Sequence, residues 1–331
     1  MGLGRIGRNI FRILHTQHHI EVVAIADIVD PEALGYLLNY DTVFGRFPDP
    51  VFVKGQSLFV KGREVQVVQA KEPKDVDWKK LGVDIVIDAS AKYKTRAALQ
   101  QHIDQGARKV ILTGPCEFSE VDITLIRGVN DKQLTGAHNL ISAGSITTNA
   151  IGIIIKILHE AYGIENAFLN TVHAYTNAQR LADVPHNELR LSRAAAENII
   201  PAESKVPLSI DYLFPALRGK VDAIAMNVPV PNGSCVDLVC NVSKDVSIES
   251  VNETIKSAAA SKDYKDILEY VTDPIVSSDV IRSSHSAVFD SMATQVLQNR
   301  LVKTLTWFDN GWGYANRIVE VIHTLSEIKA I

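Results

Sequence analysis

The sequence predicts an α/β chain of two domains: a dinucleotide-binding half, then an α+β half with a largely antiparallel sheet. Three observations predict it. A glycine-rich turn, Gly2-Leu3-Gly4-Arg5-Ile6-Gly7, runs straight into a segment of helical periodicity. Short apolar runs then alternate with helical segments, the pattern of a parallel sheet covered on both faces. Beyond residue 146 the apolar runs become longer, β-branched and alternating, as in an antiparallel sheet with one covered face.

Composition narrows the field before any motif does. At 331 residues the chain can fill two cores, and 46% hydrophobic against 22% charged residues describes a globular protein with no disordered arm. A net charge of −4 supplies no basic field, so no nucleic-acid partner is expected. The longest apolar stretch, Ala150 to Leu158, is interrupted by Lys156 and too short to span a bilayer, so no membrane is expected either. Arg5 and Arg8 interrupt the only early hydrophobic segment, which excludes a signal peptide there. Cys116, Cys235 and Cys240 are an odd set without metal spacing and read as reduced thiols in a cytoplasm. His15 and His19 stand one helical turn apart, but no neighbouring thiol or carboxylate completes a site, so no metal is expected.

In order along the chain, Arg5 to about Thr16 reads as the first helix. Glu21 to Ala26 reads as a buried strand ending at Asp27, twenty residues after Gly7. Glycine turn, helix, strand and acid at that distance make a Rossmann-type unit. The glycines let a pyrophosphate approach the backbone N–H groups of Arg5 and Ile6, where the helix dipole favours an anion. Asp27, with Ile28 beside it, takes the adenosine end: its carboxylate accepts from ribose hydroxyls and repels a 2′-phosphate, favouring NAD over NADP. Pro31 to Asn39 follows as a helix. Asp84 to Asp88 and Lys109 to Thr113 follow as strands, and small residues, Ala89-Ser90-Ala91 and Thr113-Gly114-Pro115, come after them. Thr147 to Tyr162 has the pattern of a long helix whose N-terminus aims position 146. Val221–Val230, Val236–Val242 and Leu301–Phe308 read as strands, and Asn310 to about Lys329 as the last helix.

Residues 142–150, SAGSITTNA, resemble the S-N-A-S-C-T-T-N-C signature of phosphorylating glyceraldehyde-3-phosphate dehydrogenases, and the likeness runs the length of the chain. Residues 40–46 (YDTVFGR) are similar to the family's Y-D-S-x-x-G-R, and 171–177 (TVHAYTN) to T-V-H-S-Y-T-N. Residues 185–190 (PHNELR) are similar to P-H-K-D-L-R, and 307–314 (WFDNGWGY) to W-Y-D-N-E-x-G-Y. The chain is identified as a divergent member in which Ile146 stands in place of the nucleophilic cysteine. For the cofactor, the resemblance implies that Lys71 lies beside the adenine, that the Ser90 and Thr113 loops touch the dinucleotide, and that Asn310 holds the nicotinamide carboxamide with Tyr314 retained nearby. Trp312 departs from the family pattern and either packs near that site or caps the last helix. His173 is the counterpart of the catalytic base. Of the two phosphate sites, Thr147, Thr176 and Arg190 remain. Leu191 and Asn227 stand where arginines are usual, Ala178 replaces an aspartate, and residues 202–208 (AESKVPL) replace T-x-T-G-A-A-K.

The resemblance also implies an organisation. Residues 1–145, completed by a C-terminal helix at 310–331, form the NAD-binding domain, and 146–309 the substrate and tetramerisation domain. The polar loop from Thr176 to Ile200 lies between subunits in relatives, which implies a homotetramer. Family members begin with a short apolar strand ahead of the glycine loop, so a chain that starts several residues before Met1 is the expectation.

Two functions follow. A helix N-terminus suits a cysteine because its positive potential stabilises thiolate; isoleucine offers none of that chemistry, and Ser145 beside it lacks an activating base. The first reading is an NAD-binding homologue without phosphorylating activity. The second is a working oxidoreductase on another small carbonyl or alcohol, with His173 as acid/base and Ile146 lining the pocket. A purely interacting protein with a vestigial cofactor site is a third class, against which Asp27 at its expected spacing speaks.

Overall fold

Parallel pairing dominates the first of two units in the computed structural model, which describes residues 1–331 throughout. This unit comprises residues 1–125, 131–145 and 315–331. Its elements are α1 (Arg5–Leu14), β1 (Ala24–Asp27), α2 (Pro31–Asn39), β2 (Val51–Lys54), β3 (Ser57–Val60) and β4 (Arg63–Gln69), followed by β5 (Ile85–Asp88), α3 (Arg96–Asp104), β6 (Lys109–Leu112), β7 (Ile123–Thr124) and β8 (Leu140–Ser142). Two four-stranded sheets result, in the orders β1-β4-β3-β2 and β5-β6-β8-β7. Strands β5, β6, β8 and β7 are all parallel, as is β1 to β4. An antiparallel meander, β2-β3-β4, extends the first sheet and had no counterpart in the sequence reading.

Local chemistry explains the helix ends. Asp30 caps α2 by accepting from Ala33 N at 2.8 Å, with Pro31 at the first helical position. Thr95 caps α3 in the same way. Helix α1 stops at Leu14, short of Thr16, because the last amides switch to i−3 carbonyls: Thr16 N donates to Ile13 O and Gln17 N to Leu14 O. Phe11 of α1 and Leu34 and Leu38 of α2 pack over Ile25, Leu58, Val65 and Val67 of the first sheet.

The facing edges of β1 and β5 border a cavity of about 410 Å³ lined by Val22, Val23, Ala24, Val83, Ile85 and Ile87, among others. At its end, Met1 N donates to Ile87 O at 2.7 Å, Ala89 N to Met1 O at 2.8 Å, and Gly2 N to Ala26 O at 2.8 Å. That is the hydrogen-bond pattern of a parallel strand's last two residues, placed between β1 and β5. Only from Ala24 onward is β1 a strand; at residues 21–23, read as part of it, one edge faces this groove.

The second unit comprises residues 126–130 and 146–314. Its elements are α4 (Ile146–Tyr162), β9 (Ile164–Ala174), β10 (Ile200–Glu203), α5 (Val206–Leu213), β11 (Val221–Val228), β12 (Ser234–Val242), α6 (Ile248–Ala259), β13 (Leu268–Val271), β14 (Ala287–Leu297) and β15 (Leu301–Phe308). The final helix, α7 (Trp312–Glu327), begins in this unit, and its residues from Ala315 belong to the first. One seven-stranded sheet, β10-β11-β9-β12-β15-β14-β13, organises the second unit. Pairs β10/β11, β9/β12, β12/β15 and β14/β15 are antiparallel, whereas β9/β11 and β13/β14 are parallel, so the sheet is mixed. Helix α4 is apolar nearly all round and buried: Ile151, Ile153, Ile154 and Leu158 pack with Leu169, Leu238, Phe289 and Val302 in one core. The loop at 176–200 carries a short 3₁₀ turn, Leu189–Ser192, and a bridge between Arg180 and Ala194.

Candidate active site

In the first unit the glycine turn meets the strand ends. Gly2 adopts φ +83°, where a side chain is strained, and a Cβ there would lie 2.6 Å from Ser90 N. Gly7 is closer still: its Cβ would sit 2.2 Å from Gly2 O. Above Gly4 nothing lies within 4 Å, so the helix start is open to an approaching group. No side chain caps α1, and its first turn carries no acidic residue, leaving Arg5, Ile6 and Gly7 amides at a positive helix terminus. Asp27 accepts from Leu3 N at 2.7 Å through Oδ2 and from Val29 N at 3.1 Å through Oδ1, which orients its carboxylate at the end of β1.

A cavity of about 250 Å³ opens at this point, lined by Gly2, Gly4, Asp27, Ile28, Lys71 and Ser90 together with Lys92 and Tyr93. Six of the residues expected from sequence are thus brought around one space. Donor amides, an open glycine and an oriented carboxylate are what the two ends of an adenosine diphosphate moiety require, and the residues fit that group. Thr113 lies apart from the cavity lining, at the end of β6, where its N–H donates to Asp88 O at 2.9 Å. Tyr93 was missed by sequence reasoning: its hydroxyl donates to Lys71 O and ties the two walls of the cavity together. His15, read as one half of a histidine pair, faces Asp49 at 3.3 Å instead.

The second unit gathers a different set. His173 lies at the end of β9, and its Nδ1 is 2.6 Å from Ala174 O, an acceptor only, so Nδ1 carries the hydrogen. In the neutral ring the lone pair is then on Nε2, 3.4 Å from Asn310 Nδ2. Asn310 is held on three sides. Its N–H donates to Asn232 Oδ1 at 2.8 Å, and its side-chain amide meets Ser234 Oγ, which donates to Oδ1 at 2.9 Å. Ser234 Oγ also accepts from Ala174 N at 2.9 Å, closing a ring of hydrogen bonds back to the His173 strand. Asp309 caps α7 through Gly311 N and Trp312 N and accepts from Asn232 Nδ2 at 2.7 Å, so the cap is the aspartate and not Trp312. Ser234 is a second residue that the sequence reading passed over. The Asn232-Gly233 turn before it was the available signal.

Asn227 pairs in register with His173 on neighbouring β11 and is buried. Ile146 begins α4, half-buried against the core of this unit, and Thr147 is buried in the same turn. Thr176 is engaged locally: its N–H donates to Gln179 Oε1, and its Oγ1 accepts from Ala178 N at 3.2 Å. Arg190 is exposed and Leu191 half-buried in the 3₁₀ turn. Tyr314 is buried in the first turn of α7. The thiols are poorly placed for nucleophilic work. Burial pushes Cys235 and Cys240 up to about 12, and burial also raises Cys116. Cys235 follows Ser234 on β12 and therefore points to the opposite face of the sheet.

Comparison with known proteins points to one family. Residues 1–96 match the family described as glyceraldehyde 3-phosphate dehydrogenase, NAD binding domain, and residues 145–310 match its C-terminal domain. The glyceraldehyde-3-phosphate dehydrogenase of Geobacillus stearothermophilus is 42% identical over 321 residues, covering 97% of this chain and 95% of that protein. Glyceraldehyde-3-phosphate dehydrogenase 2 of Streptomyces avermitilis is 44% identical over 322 residues, 97% of this chain and 95% of that protein. Glyceraldehyde-3-phosphate dehydrogenase 2 of Bacillus subtilis is 41% identical over 330 residues, covering 99% and 96% respectively.

Proposed function

We propose that this chain, which belongs to the glyceraldehyde-3-phosphate dehydrogenase family and carries its NAD-binding domain, performs no thiol-based aldehyde oxidation. The observation that carries this reading is Ile146 at the N-terminus of α4, the position the resemblance gives to the nucleophile. A hydrocarbon there forms no covalent adduct with an aldehyde, so no thioester is available for phosphate to cleave. None of the three thiols replaces it, since Cys235 and Cys240 stay protonated near neutral pH and burial raises the Cys116 thiol as well.

The anion sites support the same conclusion. Asn227 beside His173 and Leu191 in the loop leave neutral side chains where a phosphate dianion needs clustered donors. The reading is tested by Ile146→Cys. Thiolate reactivity without turnover of glyceraldehyde 3-phosphate is expected, because the phosphate contacts stay missing. Full recovery of phosphorylating activity would overturn the claim about those contacts.

The hydrogen bonding at His173 favours a second reading. A neutral imidazole with its Nε2 lone pair directed at a buried amide is poised as a base. When bound, NAD supplies hydride acceptance; His173 would take the proton of an alcohol, and Asn310, steadied by Ser234, would orient the reacting group. NADH turnover against a panel of small carbonyl compounds, in wild type and His173→Gln, separates the readings. Turnover abolished by the substitution selects the second.

We further infer a homotetramer. Leu181, Leu189 and Ile199 of the 176–200 loop are exposed, as are Phe168 and Ile224 on one face of the seven-stranded sheet. Apolar surface of that extent marks an interface, and sedimentation at equilibrium gives its stoichiometry. No helix is long and apolar enough to cross a membrane. Three unpaired cysteines support a cytoplasmic location.

A further inference from the structure

A line of fully buried polar groups runs from the interior of the first unit to the wall of its nucleotide cavity. Trp78 Nε1 donates to His102 Nδ1 at 3.0 Å, His102 Nε2 lies 3.1 Å from Asp88 Oδ2, and Asp88 Oδ1 accepts from both Ser90 N at 2.9 Å and Ser90 Oγ at 2.6 Å. Trp78, His102 and Asp88 are each at most 2% exposed.

We propose that Trp78, His102 and Asp88 are positioning residues for NAD, acting through Ser90 on the wall of the cavity. The direction of every bond in the chain is forced. An indole N–H can only donate, so His102 Nδ1 must accept, and the neutral ring's hydrogen must lie on Nε2, directed at Asp88. Both of Ser90's donors are thereby drawn to one carboxylate oxygen, and its Oγ turns a lone pair to Lys92 N at 3.2 Å. Burial works against Asp88's charge, while the hydrogen bonds from His102 and Ser90 favour it and draw its pKa down.

What this chain holds is a wall that would otherwise relax. Ala91, directly after Ser90, sits at φ +60°, a left-handed conformation that an L-residue adopts only at a cost. On the far side, Tyr93 closes the same wall onto Lys71 O. Ser90 N and Cα also lie against Gly2, at 2.6 and 2.7 Å from where a Cβ would be, so a shift of Ser90 is felt directly by the glycine turn. Ser90, Tyr93, Gly2 and Asp27 line one cavity. The relay therefore sets the separation between the Ser90 wall and the carboxylate that takes the ribose.

The test is a double-mutant cycle read by calorimetric titration with NAD and with ADP-ribose, independent of any turnover. His102→Leu removes both hydrogen bonds, and NAD and ADP-ribose are expected to weaken in parallel by about tenfold. His102→Gln, which can donate to Asp88 and accept from Trp78, should restore affinity to within about threefold. Ser90→Ala alone should weaken binding comparably, and the double variant should lose no more than either single one. Additive losses, or a folded His102→Leu protein with unchanged affinity, would overturn the proposal. Should His102→Leu fail to fold, Trp78→Phe, which keeps a six-membered aromatic ring but loses the pyrrole ring and its N–H, takes its place in the same cycle with the same criterion.

Discussion

Replacing Gly7 by alanine adds one methyl group at the point where the nucleotide turn is most crowded. The new Cβ would stand 2.2 Å from Gly2 O and 3.2 Å from Gly2 C, and ordinary contact begins at 3.4 Å. The Gly2 carbonyl must therefore retreat by about 1.2 Å, the difference between 3.4 and 2.2 Å. It cannot do so alone, because Gly2 N is tied to Ala26 O at 2.8 Å and Ser90 backbone lies against the glycine. Overpacking of this kind costs about 1–3 kcal/mol of stability. The larger consequence is for binding. The amides that follow Gly4 shift relative to Asp27, and losing one charge-assisted hydrogen bond, at about 1.5–3 kcal/mol, weakens a dinucleotide by about tenfold to a hundredfold. Calorimetric titration with NAD measures the affinity, and differential scanning calorimetry the stability. A Gly7→Ala protein binding NAD within about twofold of wild type would refute the assignment of this turn as the pyrophosphate site.

Three further outcomes follow. Ala91→Gly relieves the left-handed residue at φ +60° and, set against the greater freedom glycine gains in the unfolded chain, should stabilise the protein by up to about 1 kcal/mol, visible as a small rise in Tm. Asp41 is opposed by burial, but the amides of Phe44 and Val43 and the guanidinium groups of Arg12 and Arg8 hold its pKa below the ordinary value. Its contribution is thus fully present above the usual carboxylate range and lost as pH falls through the lowered value; Asp41→Asn should lower stability at neutral pH and flatten the acid limb, measured by urea unfolding across that range. A short apolar β-branched extension on the Met1 nitrogen should enter the groove between β1 and β5, continuing the rungs to Ile87 and Ala26 and raising stability by about 2–4 kcal/mol once ordering entropy is subtracted. An unchanged unfolding midpoint would show that the groove does not accept a strand.

Legibility in the sequence followed the range of the interactions. Helix α2 was readable to the residue because Asp30, Pro31 and its apolar spacing are local signals, and β15 because alternation and length agree over 301–308. The meander at 51–69 was missed although its second turn carries a glycine at φ +75°. The residue before it is Lys61, also left-handed at φ +50°, where asparagine or aspartate would have announced a tight hairpin. Sites divided in the same way. Gly2, Gly4 and Asp27 belong to a pattern of fixed spacing, and the structure brings them to one cavity. Ser234 reaches Ala174 across 60 residues and Trp78 reaches His102 across 24, and no one-dimensional period encodes such contacts. The Ser90 wall was recognised as a loop, while the groups that hold it were invisible until the fold placed them together.

Absence of thiol chemistry is the central claim, and a single-turnover experiment addresses it without reference to any later step. Enzyme at high concentration is mixed with NAD, glyceraldehyde 3-phosphate and phosphate, and absorbance of NADH is followed by stopped flow. With Ile146 at the start of α4, no burst of NADH and no acyl-enzyme are expected. A burst approaching one NADH per subunit would contradict the account, because it would require a nucleophile that neither Ile146 nor the three buried or half-buried thiols supply.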